Sequence, residues 1–175
     1  MRRAVRLLPI AFALVSGIAS AEVAAQQDSG WIVSETTSPV DYSPIATATI
    51  VSRPIADSPL LRLSIRCRGG RTELAVSGPE ITGSGNHYFI SYRVNDGRSV
   101  QFGGAAAAFG DGVAFRGDAA ALVWSLPAKG ELSVLVNSLN GASQLGVFPL
   151  NGLETLRAKI GATCKWPHVL ARPNN

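Results

Sequence analysis

The chain has 175 residues, enough for one domain of ordinary size with room for a core, and a formal net charge of +4 from 16 basic and 12 acidic residues. Arg2, Arg3 and Arg6 fall in an amino-terminal segment of targeting type, and setting them aside leaves 13 basic against 12 acidic residues, a net of +1. So small an excess gives no support to a nucleic-acid role, which needs a basic surface that survives maturation.

In chain order, the three arginines precede an apolar run at 7–18 and the small-residue site Ala19-Ser20-Ala21. A basic segment, an apolar core and an A-x-A site in that order predict a signal peptide over 1–21, cut after Ala21 or, alternatively, after Ala25. The apolar run is shorter than the about 20 residues a transmembrane helix needs, so no stable membrane span is expected after cleavage. No cysteine near either cut offers a lipid anchor, and Arg2-Arg3 lacks the flanks of a twin-arginine signal. Residues 22–30 are small and polar without a period and read as a flexible leader. Residues 167–175, with two prolines and a closing Asn-Asn, read as a disordered tail. A single domain is expected over 31–166.

Inside those limits a period of two dominates. The stretches 47–52, 61–67 and 72–77 read as successive antiparallel strands, with Leu63, Ile65 and Cys67 on one face and Arg62, Ser64 and Arg66 on the other. Gly69-Gly70 joins the last two. Residues 87–94 alternate Tyr88, Ile90, Tyr92 and Val94 against Phe89, Ser91 and Arg93, and Asn95-Asp96-Gly97 then leads to a run at 98–102. Asp-Gly between two such runs predicts a hairpin, because both residues tolerate the positive φ that suits strand twist. After Gly103-Gly104 the pattern loosens. Asp118 is placed to cap a short helix over 119–126, which ends before Pro127. Residues 131–137 and 144–150 read as two more strands around Asn140-Gly141. Asn151, with Glu154 three residues on, is placed to cap a last helix with the stripe Leu153, Leu156 and Ile160, closed by Gly161. The predicted fold is α+β, mainly an antiparallel sheet or sandwich with two short helices and one disulfide.

That disulfide is expected between Cys67 and Cys164, the only two cysteines, because an exported chain meets an oxidising compartment. Free thiols and a metal pair are the alternatives, but two distant cysteines with two unrelated histidines make a poor zinc site. No metal, cofactor or catalytic residue is predicted. His87 and His168 are the only histidines, one at a strand start and one in the tail, and neither a G-x-S-x-G elbow nor a P-loop occurs. Gly83-Ser84-Gly85 lacks the strand-to-helix setting of a glycine motif and reads as a turn. Asp111, Asp118, Glu131 and Glu154 show no pattern of paired acids.

One chemical feature stands out. Arg62, Arg66 and Arg68 share the polar face of one strand and Arg71 follows the turn, a stripe able to receive phosphate, carboxylate or an acidic partner surface. The plainer and preferred reading is a solvated face partly neutralised by Glu73 on the next strand. Trp31, Trp124 and Trp166 are expected in or near the core, with Trp31 and Trp166 around the bridge; exposed binding anchors are the alternative.

Several segments carry a family resemblance: Trp31, Ser38-Pro39-Val40-Asp41, Ile65-Arg66-Cys67 followed by Arg71-Thr72-Glu73-Leu74, Tyr92-Arg93-Val94, the segment from Phe148 to Leu153, and Cys164-Lys165-Trp166. Together they resemble the VasI/TagO family of bacterial type VI secretion-associated proteins over about 31–166. The resemblance implies a non-enzymatic accessory protein, periplasmic or secreted in a Gram-negative bacterium, with an envelope protein as partner. A weaker similarity, in the start of the closing helix, is to the invasion-associated locus B proteins, whose further cysteines are missing here. A small periplasmic ligand-binding or hydrolytic domain is the competing functional class, and a concave pocket with converging polar groups would favour it.

Overall fold

A computed structural model describes residues 30–81, 88–139 and 143–167. The predicted signal peptide, most of the leader and tail, both histidines, Gly83-Ser84-Gly85 and Asn140-Gly141 lie outside the described residues.

β-branched and alternating sequence builds most of the molecule. Strands β1 (Ile32–Thr37), β2 (Pro44–Val51), β3 (Arg62–Arg68) and β4 (Arg71–Ser77) form an antiparallel meander, and β5 (Tyr88–Val94), β6 (Val100–Ala106) and the short β7 (Val113–Phe115) follow. Helix α1 (Ala119–Ser125) precedes β8 (Glu131–Ser138) and β9 (Ser143–Pro149), and α2 (Leu153–Cys164) closes the domain. All nine strands belong to one antiparallel sheet, ordered β1-β2-β3-β4-β7-β6-β5-β8-β9. The sheet curls. The chain leaving β2 meets β9, where the Arg53 N–H donates to the Val147 carbonyl at 2.8 Å, and Arg53 pairs with Glu131 at the start of β8.

The inner face carries Ala46, Ala48, Ile50, Leu63, Ile65, Cys67, Leu74, Val76, Ile90, Val134, Val136 and Phe148, all buried. Leu153, Leu156 and Ile160 of α2 bury against this face, mainly on β2 and β3, while α1 packs on β4. The alternations predicted in β3, β4 and β5 point inward as expected, which gives the α+β antiparallel reading its physical basis.

Several boundaries differ from expectation. The β5–β6 hairpin forms, but the positive φ falls on Asn95 (48°) and neither Asp96 nor Gly97 adopts it. Asn95 Oδ1 accepts the Glu131 N–H at 2.9 Å, so a contact to the neighbouring strand fixes the turn. Asp118 caps α1 by accepting the Ala121 N–H at 2.9 Å, as predicted. Asn151 does not cap α2: the N-cap is Gly152 in the left-handed region, with no side-chain cap. Nor does Gly161 end that helix, which continues to Cys164 and stops at Lys165 (φ 51°), where the Trp166 N–H returns to the Gly161 carbonyl at 3.0 Å.

Candidate functional site

The predicted bridge is present. Cys67 and Cys164 are bonded, with Cα atoms 5.6 Å apart and both residues buried. Around it runs a short polar chain in which Trp166 Nε1 donates to Thr72 Oγ1 at 2.5 Å and the Thr72 hydroxyl reaches Cys164 Sγ at 3.1 Å. Trp166 is buried and meets Trp124 edge to face at 6.0 Å, while the Arg157 guanidinium lies 5.7 Å from the centre of the Trp124 ring. Arg157 also donates to the Val123 carbonyl at 2.9 Å and to the Leu126 carbonyl, tying α2 to the end of α1. Trp124 stays 36% exposed, so of the core or near-core positions expected it takes one at the edge, against buried Trp166. Trp31 packs half-buried against the core beside Ile32, which pairs with Thr49, whereas Cys67 pairs with Ala46, so the strand register separates Trp31 from the bridge.

The four arginines fall into three environments. Arg62 opposes Val51 and Ser77, six residues along β3 from Arg68 and so about 20 Å from it. Arg66 opposes Glu73, as the plainer reading requires, but both side chains also hold the loop between β6 and β7. The Arg66 guanidinium donates to the Phe109 carbonyl, and the Glu73 carboxylate accepts the Ala108 N–H at 2.6 Å and the Phe109 N–H at 3.2 Å. The loop passes so close that a Cβ at Gly110 (φ 144°) would fall on the guanidinium.

Arg68 and Arg71 form the third environment. They oppose each other directly across Gly69-Gly70, whose φ values of 55° and 76° suit a tight hairpin that only glycine adopts at no steric cost. Both are exposed. The bridge brings Lys165 to the same end, where it lines with Arg71, Thr72, Asp118 and Trp166 a depression of about 400 Å³. The Asp118 carboxylate there is engaged by α1. Arg71 and Lys165 thus meet at a depression beside the disulfide, with Arg68 opposite Arg71, and all three are exposed. Lys165 was not anticipated from its place in the sequence, although the expected pairing of Cys67 with Cys164 already makes Arg68 and Lys165 neighbours.

Chemically, the corner can bind anionic groups. Among the described residues no three His, Cys, Asp or Glu side chains gather in a metal-binding group. The strongest perturbed acid is elsewhere, at Asp41 in the β1–β2 turn, where the Ser38 hydroxyl and then the Ser43 hydroxyl and N–H hold the carboxyl down to about 2. No protein-family model, curated protein or solved structure matches the chain.

Proposed function

We propose that this chain is an exported, non-enzymatic accessory protein of a Gram-negative envelope, which binds an acidic surface of another envelope protein through Arg68, Arg71 and Lys165. The observation that carries the reading is the direct opposition of Arg68 and Arg71. Like charges facing each other across strands are unfavourable for the hairpin, and Lys165 adds a third cation to the same end. Folding gains nothing from this crowding; an acidic partner would, since guanidinium groups bind carboxylates in strong paired hydrogen bonds. The signal-like sequence at 1–21 and the buried disulfide support export, and the resemblance to VasI/TagO proteins supports a setting beside a type VI secretion system.

Crosslinking in intact cells, followed by affinity recovery and mass spectrometry, tests the reading. An envelope protein should be captured by the native chain and lost from the combined variant Arg68→Ser, Arg71→Ser. Equal capture by both, or none by the native chain, contradicts it.

A further inference from the structure

The two edges of the sheet are treated differently. At β9 the chain after β2 lies alongside, the Arg53 N–H satisfies the Val147 carbonyl at 2.8 Å, and Pro149 ends the strand. At β1 nothing equivalent occurs: among the described residues it pairs with β2 alone. Its six residues, Ile-Val-Ser-Glu-Thr-Thr, pair without a bulge and include no Lys, Arg or Pro, and five of the six are exposed. Lysine, proline, bulges and covering loops are the devices by which natural sheets stop an edge from recruiting another strand. Glu35 is the only charge present.

We infer that two copies of this chain join edge to edge through β1, antiparallel and centred on Ser34, continuing one sheet across a two-fold axis. A two-fold axis through the sheet keeps even residues opposite even ones, because paired residues must share a face. Centring on Glu35 would set two carboxylates against each other, which is unfavourable. Centring on Ser34 sets Ile32 opposite Thr36 and Val33 opposite Glu35, with no like charges paired.

The same arrangement brings complementary ends together. Past β1, the turn from Ser38 to Ser43 projects Val40 and Tyr42, each 81% exposed, around the ionised Asp41. Hydrogen bonds brace this turn: the Ser38 N–H donates to the Ser43 carbonyl at 2.8 Å, the Tyr42 N–H to the Ser38 carbonyl at 3.0 Å, and the Ser43 hydroxyl to Asp41 at 2.9 Å. Tyr42 is held at φ 54°, a conformation that is uncommon for a residue with a bulky side chain and that local hydrogen bonds must enforce. Antiparallel pairing sets this apolar, acidic turn beside the opposite end of the partner's β1, where Ile32 is 70% and Val51 46% exposed. There Ile32, Val51, Pro54 and Pro149 line a mainly apolar depression of about 410 Å³ to which Arg53 and Arg62 also contribute. An exposed tyrosine is a large, amphipathic side chain of the kind that anchors interfaces. The β1 edge is independent of the Arg68 corner and of its partner.

Sedimentation velocity of the purified chain over a range of concentrations, with Ser34→Lys and Tyr42→Ser, tests the inference. The native chain should be dimeric. Ser34→Lys, which sets two lysines face to face, should be monomeric and melt, independently of concentration, where the native chain melts when diluted to monomer, and Tyr42→Ser should weaken the dimer by roughly tenfold or more. Hydrogen exchange should show alternate β1 amides protected in the native chain and released in Ser34→Lys. A photo-crosslinker at position 34 in intact cells should join two copies of the chain. A native chain that stays monomeric, a dimer that survives Ser34→Lys, or a crosslink at position 34 to a different protein each overturns the inference.

Discussion

Arg66 and Arg68 stand two residues apart on the same face of β3 and do different work. The guanidinium of Arg66 satisfies a loop carbonyl, whereas that of Arg68 is exposed beside another cation. Replacing Arg66 with serine removes a charge-assisted hydrogen bond and should cost about 1.5–3 kcal/mol in a denaturant melt. Arg68→Ser and Arg71→Ser should stay within about 0.5 kcal/mol of the native chain, as surface changes do. Equal losses at all three positions would show that the exposed pair is also structural. Asp41 offers a second residue-level test. Its carboxyl is held at about 2 against a usual value near 3.8, so its contribution to the turn is complete above pH 3.8 and disappears as pH falls through 2. A carboxyl titration followed by NMR should find this midpoint, and a midpoint in the ordinary range would mean that the Ser38 and Ser43 contacts do not form. The opposition of Arg66 to Glu73 was legible from strand alternation and the Gly69-Gly70 turn. Their shared loop was not, because Phe109 is 43 residues from Arg66 and no local pattern links them.

Among the elements, legibility follows burial. β5 shows a clear period because one face is covered and the other more open, whereas the polar face of β3, read as solvated, has Ser64 buried and Arg66 half-buried. β1 was missed since its burial pattern has a single half-buried position, leaving no alternation to detect. β7 was missed for the opposite reason: Val113, Ala114 and Phe115 are all buried, lying between β4 and β6. β6 continues through Gly103-Gly104, after which the sequence pattern loosens. Gly104 lies mid-strand because a Cβ there would meet Val113 at 2.5 Å, so glycine marks close packing rather than a bend. The extension of α2 beyond Gly161 reflects tertiary contacts, chiefly the bridge at Cys164 and the burial of Trp166, which outweigh the weak helix preference of glycine. The two helices are joined by Arg157, whose loss leaves the Val123 and Leu126 carbonyls without this donor. Arg157→Met should therefore destabilise the fold by about 2–4 kcal/mol. Hydrogen exchange should show α1 opening first; uniform loss of protection would argue against a local clamp.

For the molecule as a whole, the curled sheet and the bridge set what can be presented to a partner. The disulfide joins residues 97 apart in sequence and pins the β3–β4 hairpin, which itself pairs Arg68 with Arg71, to the end of α2, and so brings Lys165 beside Arg71. In the chain-entropy model a loop of this length contributes about 4–5 kcal/mol, an upper figure, so the paired variant Cys67→Ser, Cys164→Ser should lose up to that amount and scatter the corner. A variant that keeps its stability and still captures whatever the native chain captures would show that the bridge does not organise the site. Of the three cations only Lys165 owes its place to the bridge, since the Gly69-Gly70 hairpin already sets Arg68 against Arg71. The most direct test is the intact mass, without reduction, of the native protein recovered from an envelope fraction. The expected species begins at Glu22 and is lighter by the two hydrogens lost when Cys67 and Cys164 join; a species that retains Met1 and carries two free thiols would contradict it.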